Sequence, residues 1–198
     1  AGASLTAAWE ALAAHWPTLR EMGRRFASPP VRNAGTLGGN VANGSPIGDG
    51  APVLIALGAQ LVLRRGEVQR SLALQDFYTG YMANQLQPGE FLQGIQVPLN
   101  EGAHALRAYK LGKRFDSDIS GLAAGLWLQL EDGVVREARF AFGGMAATVH
   151  GRELYLGSRR LMAELEVELG ALSARAAELQ GQGQTVSWVA DTTEAPTL

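Results

Sequence analysis

The sequence predicts an α+β protein in two units, and three observations carry that expectation. Near the start, Leu5, Trp9, Leu12 and Trp16 recur at helical spacing. Further on, short alternating segments flank tight turns at Arg65-Gly66-Glu67 and Asp132-Gly133 and read as antiparallel hairpins. Between the helix and the hairpins, Phe26 to Pro52 carries Gly35, Gly38, Gly39, Gly44, Gly48 and Gly50 among small polar residues, with neither period. The expected division puts a first unit over residues 1–99 and a second over 104–180. The second holds a three-stranded antiparallel sheet and a helix, and 181–198 reads as an irregular, disordered tail.

Taken in order, Ser4 or Thr6 caps a first helix that runs to about Trp16. Pro17 suits the first turn of a second helix ending near Phe26, and Ser28-Pro29-Pro30 stops it. Asp49 is placed to cap a short helix over 51–57. Residues 60–64 and 68–72 form the first hairpin, with Arg64, Arg65 and Arg70 as a solvated edge. Asp76–Tyr81 reads as a helical turn, and Pro88-Gly89 opens a strand over 91–97 with Phe91, Ile95 and Val97 on one face and Leu92 on the other. Pro98–Gly102 is the linker. Residues 105–110, 121–130 and 134–142 are three strands. Residues 159–180 form an amphipathic helix with a leucine stripe, weakened at Gly170 by about 1 kcal/mol relative to alanine.

Composition excludes several classes. The chain has 198 residues, 46% of them apolar, and a formal net charge of −2, so it lacks the basic footprint of a nucleic-acid or anionic-membrane binder. No apolar run approaches a bilayer span. There is no cysteine, hence no disulfide, no zinc–thiolate site and no cysteine-ligated iron–sulfur cluster. His15, His104 and His150 are scattered without ligand spacing, and no metal site is assigned.

The glycine-rich segment is the chemical centre. Glycine lets another molecule approach main-chain N–H groups, and successive N–H groups hold anions such as a diphosphate. Thr36, Asn40, Asn43, Ser45 and Asp49 add hydrogen-bonding groups with little charge, while Val31, Leu37, Val41 and Ile47 supply apolar anchors. That combination points to an ordered ligand cradle rather than a free loop. It is neither a Walker loop nor a Rossmann fingerprint, for it lacks Gly-Lys-Ser/Thr and a strand leading into G-x-G-x-x-G.

The order T-L-G-G-N at 36–40, then A-N-G-S-P-I-G-D at 42–49, resembles the second half of the FAD site in the molybdenum hydroxylase flavoproteins of the xanthine dehydrogenase kind. R-R-F-A-S at 24–28, D-F-Y-x-G-Y at 76–81, P-G-E at 88–90 and K-x-x-K-R-F-D-S-D-I-S at 110–120 are similar to that family in the same order. The likeness covers about 1–148 and weakens after the G-G-M-A motif at 143–146. It implies a partial FAD-binding domain of the PCMH type over 1–99, followed by a small domain like the C-terminal domain of carbon monoxide dehydrogenase flavoproteins.

The resemblance also implies roles. Thr36, Leu37, Gly38, Gly39 and Asn40 would hold FAD; Phe26 would lie beside the flavin; Asp49 would approach the ligand; Leu92 would touch it; Lys110 would reach the flavin site. Asp116 and Asp118 would border a nicotinamide entrance. In such enzymes a molybdopterin-binding subunit hydroxylates the substrate, electrons pass through 2Fe-2S clusters to FAD, and FAD reduces NAD in the cytoplasm. No catalytic acid, base or nucleophile is assigned to this chain. The family's FAD domain has an earlier half that grips the diphosphate from the opposite side, with an iron–sulfur domain before that. The chain, which starts at Ala1 rather than methionine, is therefore expected to be a segment of a longer protein that binds FAD poorly by itself. Two other readings stay open: a flavin oxidoreductase acting directly on its substrate, for which Tyr78, Tyr81 and Tyr109 are the available proton donors, and a scaffold without cofactor.

Overall fold

The computed structural model describes residues 1–80, 82–99, 104–144, 147–149, 152–157, 169–170, 172–181 and 188–191. Tyr81, Asn100–Gly102 of the expected linker, Met145 and Ala146, His150 and Arg159–Glu168 of the expected helix lie outside them. Two compact units form, Ala1–Gly143 and Gly144–Leu198.

The first unit opens with three helices. Helix α1 (Leu5–His15) is capped by Ser4, whose Oγ accepts from Ala7 N at 3.2 Å. Its apolar stripe is buried through Leu5, Trp9 and Leu12. Helix α2 (Leu19–Arg25) ends at Phe26, and α3 (Pro29–Ala34) begins where only a helix stop was expected. The prolines do both jobs: they cannot continue α2, yet their fixed φ and missing donor suit the first turn of the next helix. Helices α4 (Leu37–Ala42) and α5 (Gly50–Ala56) follow.

The expected first hairpin is present as β1 (Gln60–Arg65) and β2 (Val68–Ala73). After α6 (Leu74–Phe77), the residues expected to continue a helical turn instead form β3 (Tyr78–Gly80), which pairs with β4 (Ala83–Asn84). Strand β5 (Phe91–Gln96) completes a sheet in the order β2-β1-β5. Its faces depart from simple alternation. The register pairs Ile95 with Leu61 and Leu92 with Leu63, skipping one residue of β5, so a bulge turns Leu92 to the same side as Ile95. Leu92 thereby joins the core at 9% exposure while Phe91 is exposed.

The three-stranded antiparallel sheet is β6 (His104–Leu111), β7 (Leu122–Glu131) and β8 (Val134–Gly143), in that order. Helix α5 packs on β7 and β8, so Ala1–Gly143 is continuous across the expected linker. The approach is close: a Cβ at Gly125 of β7 would lie 2.6 Å from Pro52 O and 3.0 Å from Ala56 Cβ. Trp127, fully buried, carries the Arg139 guanidinium 3.7 Å above its ring. Every strand pairing among the described residues is antiparallel, and the fold is α+β.

In the second unit, β9 (Ala147–Val149), β10 (Arg152–Gly157) and β11 (Trp188–Asp191) pair in the order β11-β10-β9. Strand β11 lies where the sequence suggests an irregular tail, since its partner β10 is too distant in the chain for any local pattern to report. Helix α7 (Leu172–Gly181) starts after a turn at Gly170, whose φ of +47° breaks the single helix expected over 159–180.

The arginines of the first hairpin are not a uniformly solvated edge. Arg70 forms a bidentate pair with Glu90, Nε to Oε1 and Nη2 to Oε2, each at 2.8 Å, and Gln87 N donates to Glu90 at 2.9 Å. These bonds, Arg70's first, hold the Glu90 carboxyl well below its ordinary 4.5, at about 2. A depressed carboxyl stabilises the fold above its unfolded value, and that contribution is lost as pH falls through the folded one. Glu90→Gln is therefore expected to melt below the wild type at neutral pH, with the gap closing between about pH 4.5 and 2. Thermal melts of both proteins across that range check it.

Candidate functional site

Helix α4 is built by a cap and two anchors. Thr36 Oγ1 accepts from Gly39 N at 3.0 Å, and Leu37 and Val41 turn into the core. Residues 1–3 cross its first turn: Leu37 N donates to Ala3 O at 3.1 Å and Gly38 N to Ala1 O at 3.0 Å. Asn40 N donates to Thr36 O at 3.0 Å. The N–H groups of 37–40, expected to stand ready for a diphosphate, thus all have acceptors within the chain.

Gly38 is required for a different reason than positive φ. It is helical, and a Cβ there would lie 2.4 Å from Ala1 Cβ and 2.7 Å from Ala1 O. Gly39 is exposed, and a Cβ there would meet only Thr36 Oγ1, at 2.9 Å. Gly38→Ala is expected to cost about 1–3 kcal/mol through overpacking against backbone, lowering the melting temperature whether or not a ligand is bound. Gly39→Ala should lose less, which parallel melts would show.

Asn40 presents the unfilled position. Its Oδ1 is shielded from solvent and accepts no hydrogen bond among the described residues. It lies over the start of α5, where a Cβ at Gly50 would come within 2.7 Å of it. A buried acceptor without a donor costs about 1–3 kcal/mol and asks for a missing partner.

Lys110 and Asp49 meet in a buried ion pair. Lys110 Nζ donates to Asp49 Oδ2 at 2.6 Å, to Ser120 Oγ at 2.7 Å and to Asp118 O at 2.9 Å; Ser120 Oγ donates to Asp49 Oδ1 at 2.5 Å. An ammonium has three donors, and these acceptors take all of them. Lys110, Asp49 and Ser120 are 4%, 6% and 3% exposed. Two expectations change here. Asp49 does not cap α5 with its side chain, because its carboxylate is spent on Lys110 and Ser120. Nor is Lys110 a free cation.

The other candidates sort by packing. Phe26 is 7% exposed with its ring centroid 5.7 Å from that of Trp9, and Leu92 shares the same core. Asp118 accepts from Arg114 N and Ile119 N and is held below the usual carboxylate range, chiefly by the Arg114 N–H. Asp116 is exposed. The loop between β6 and β7 is also tied to α2: Arg25 Nε donates to Phe115 O at 2.9 Å, and its guanidinium sits 4.3 Å from the Phe115 ring. Of the tyrosines, Tyr78 donates to Val41 O at 2.9 Å, and burial pushes its hydroxyl up to about 12. Ser120 was missed. It belongs to the 110–120 motif, but nothing in that spacing shows it closing a triangle with residues on two other segments.

The structure therefore brings Leu37, Asn40, Asp49 and Lys110 around the start of α5 and the end of β6, with Thr36 and Gly39 on the exposed side of α4. Phe26 and Leu92 contribute through the core. For a flavin nucleotide the fit is divided. Its amino, hydroxyl and ring N–H donors match the open acceptor of Asn40, whereas 37–40 and Lys110 offer its diphosphate no unpaired donor.

Breaking the Lys110–Asp49 pair leaves a buried charge alone. Lys110→Met is expected to destabilise by about 3–5 kcal/mol, and Lys110→Met with Asp49→Leu to recover much of that loss. Denaturant melts of the singles and the double decide it.

Two families match the chain in succession. The FAD binding domain in molybdopterin dehydrogenase matches residues 1–100, and the CO dehydrogenase flavoprotein C-terminal domain matches 107–154. The chain belongs to the molybdopterin dehydrogenase FAD-binding family. Xanthine dehydrogenase/oxidase of Gallus gallus is 35% identical over 128 residues, 63% of this chain and 9% of that protein. The carbon monoxide dehydrogenase medium chain of Afipia carboxidovorans is 35% identical over 137 residues, 69% and 47% of the two chains. The solved structure of reconstituted CO dehydrogenase from Oligotropha carboxidovorans aligns with a TM-score of 0.65 at 32% identity, over 72% of this chain and 50% of that one. The chain spans about half the length of these carbon monoxide dehydrogenase chains and 9% of the avian protein.

Proposed function

We propose that residues 1–99 are the second part of an FAD-binding domain and that 104–180 are the C-terminal module beside it, in an electron-transfer flavoprotein of a molybdenum hydroxylase. Xanthine dehydrogenase-like chemistry with NAD as acceptor is the proposed setting, in the cytoplasm, with molybdopterin and 2Fe-2S centres in partner domains or subunits. The two families matching in order support the class, and the avian relative supports the purine reading. No helix among the described residues is long and apolar enough to cross a membrane.

The observation that carries the proposal is the Asn40 Oδ1, unpartnered among the described residues and next to the exposed Gly39. Bound flavin supplies the hydride and single-electron chemistry. The chain's own part is to hold and orient: Thr36 and Gly39 line the approach, Asn40 accepts one donor, Leu37 supplies an apolar wall, and the Lys110–Asp49–Ser120 triangle keeps the neighbouring loops in place without net charge. Tyr78, neutral and committed to Val41 O, does not provide the base that direct substrate oxidation needs.

The reading without cofactor draws on one observation, the internal pairing of the 37–40 N–H groups and of Lys110. Two measurements separate the readings. In the complete protein, flavin and iron–sulfur absorption bands are expected, and Asn40→Leu should lower flavin occupancy without lowering the melting temperature of the flavin-free protein; unchanged occupancy overturns the role of Asn40. In the isolated 198-residue chain, losing several charge-assisted bonds at about 1.5–3 kcal/mol each should leave FAD binding weak. Saturable submicromolar binding in a flavin fluorescence titration would show the site to be complete within these residues.

A further inference from the structure

Helices α1, α2 and α3 enclose a cleft of about 360 Å³ that shares no lining residue with the candidate cofactor positions. Three arginines line it: Arg20 and Arg24 one turn apart on α2, and Arg32 on α3. Arg32 is fixed, since its Nη1 donates to Arg24 O at 2.8 Å, Phe26 O at 3.0 Å and Ala27 O at 2.6 Å. Arg20 and Arg24 are exposed, and neither side chain pairs with any acid among the described residues. Glu10 is the one carboxylate in the lining.

The wall of the cleft has a second peculiarity. Trp9 is 3% exposed, and its indole N–H is sealed from solvent with no acceptor among the described residues. Gly23, also in the lining, lets the helices approach until a Cβ there would lie 2.8 Å from Trp9 Cβ. The wall is therefore apolar, with Trp9, Ala13 and Ala14, and the rim is cationic. Like charges gathered without a counter-charge cost free energy, which a bound anion relieves.

We propose that this cleft binds the phosphoryl group of a small phosphate monoester. Three guanidiniums against one carboxylate leave two positive charges, matching a phosphate dianion. Guanidinium forks suit its several oxygens, and the volume lies at the low end of ligand pockets, with room for a small organic group beyond the phosphate.

The test uses the complete protein with its flavin bound, titrated calorimetrically with inorganic phosphate, glycerol 2-phosphate and acetate at one ionic strength set with chloride. Saturable binding of both phosphates is expected, at least tenfold tighter than acetate. Arg20→Gln with Arg24→Gln should weaken it at least tenfold while leaving flavin content and melting temperature unchanged, because both side chains are exposed. Glu10→Gln, which raises the positive charge, should tighten it. Equal affinity in the arginine double variant, equal binding of acetate, or heat that disappears at matched ionic strength would each overturn the proposal.

Discussion

The buried pair of Lys110 and Asp49 holds the 1–143 unit together at its most demanding point. Each charge is expensive to take out of water, and the cost is met only because every donor of the ammonium has an acceptor and both carboxylate oxygens have donors. Those partners come from the start of α5, the end of β6 and the entry to β7. Fixing them together aligns α5 against the β6–β8 sheet, where Gly125 allows direct contact of strand with helix backbone. It also closes the base of the loop that Asp118 and Arg25 shape further out.

That triangle determines what the glycine-rich segment can offer. Because Lys110 is neutralised and the first amides of α4 are paired with Ala1, Ala3 and Thr36, the segment is electrically quiet. Its remaining capacity is the exposed Gly39 and one buried acceptor, suited to positioning a neutral, donor-bearing part of a ligand. A diphosphate needs donors from elsewhere, in keeping with a chain that spans only part of its relatives. Three arginines without an acidic partner among the described residues, Arg20, Arg24 and Arg32, line the cleft of α1 to α3, where charge rather than shape invites a ligand.

Much of the fold is legible because it is local. Ser4 before a 3.6-residue stripe announces α1, and Asp132-Gly133 between alternating segments announces β7 and β8. Helices α3 and α4 are not legible, because prolines and glycines read as breakers although here they sit in first turns and at a chain crossing. Leu92 is misread for a single reason: one bulged residue in β5 inverts the face that strict alternation assigns. In the site, the motif residues were visible while their pairings were not. Ser120 stands in the motif with no assigned part, and Asp49 is used as an ion-pair partner where a helix cap was expected.

By itself the sequence determined helix α1, the strands β1, β2 and β5 to β8 and the lack of cysteine ligands, since all of these follow from side-chain type and near-neighbour spacing. Tertiary structure alone decided which polar groups remain free. Lys110 finds Asp49 from 61 residues away, and Ser120 reaches the same carboxylate across 71. Such partners are chosen by where packing sets the backbone. A lysine that a family resemblance offers as a cation for a ligand is, once buried beside a carboxylate, half of an ion pair that braces the fold.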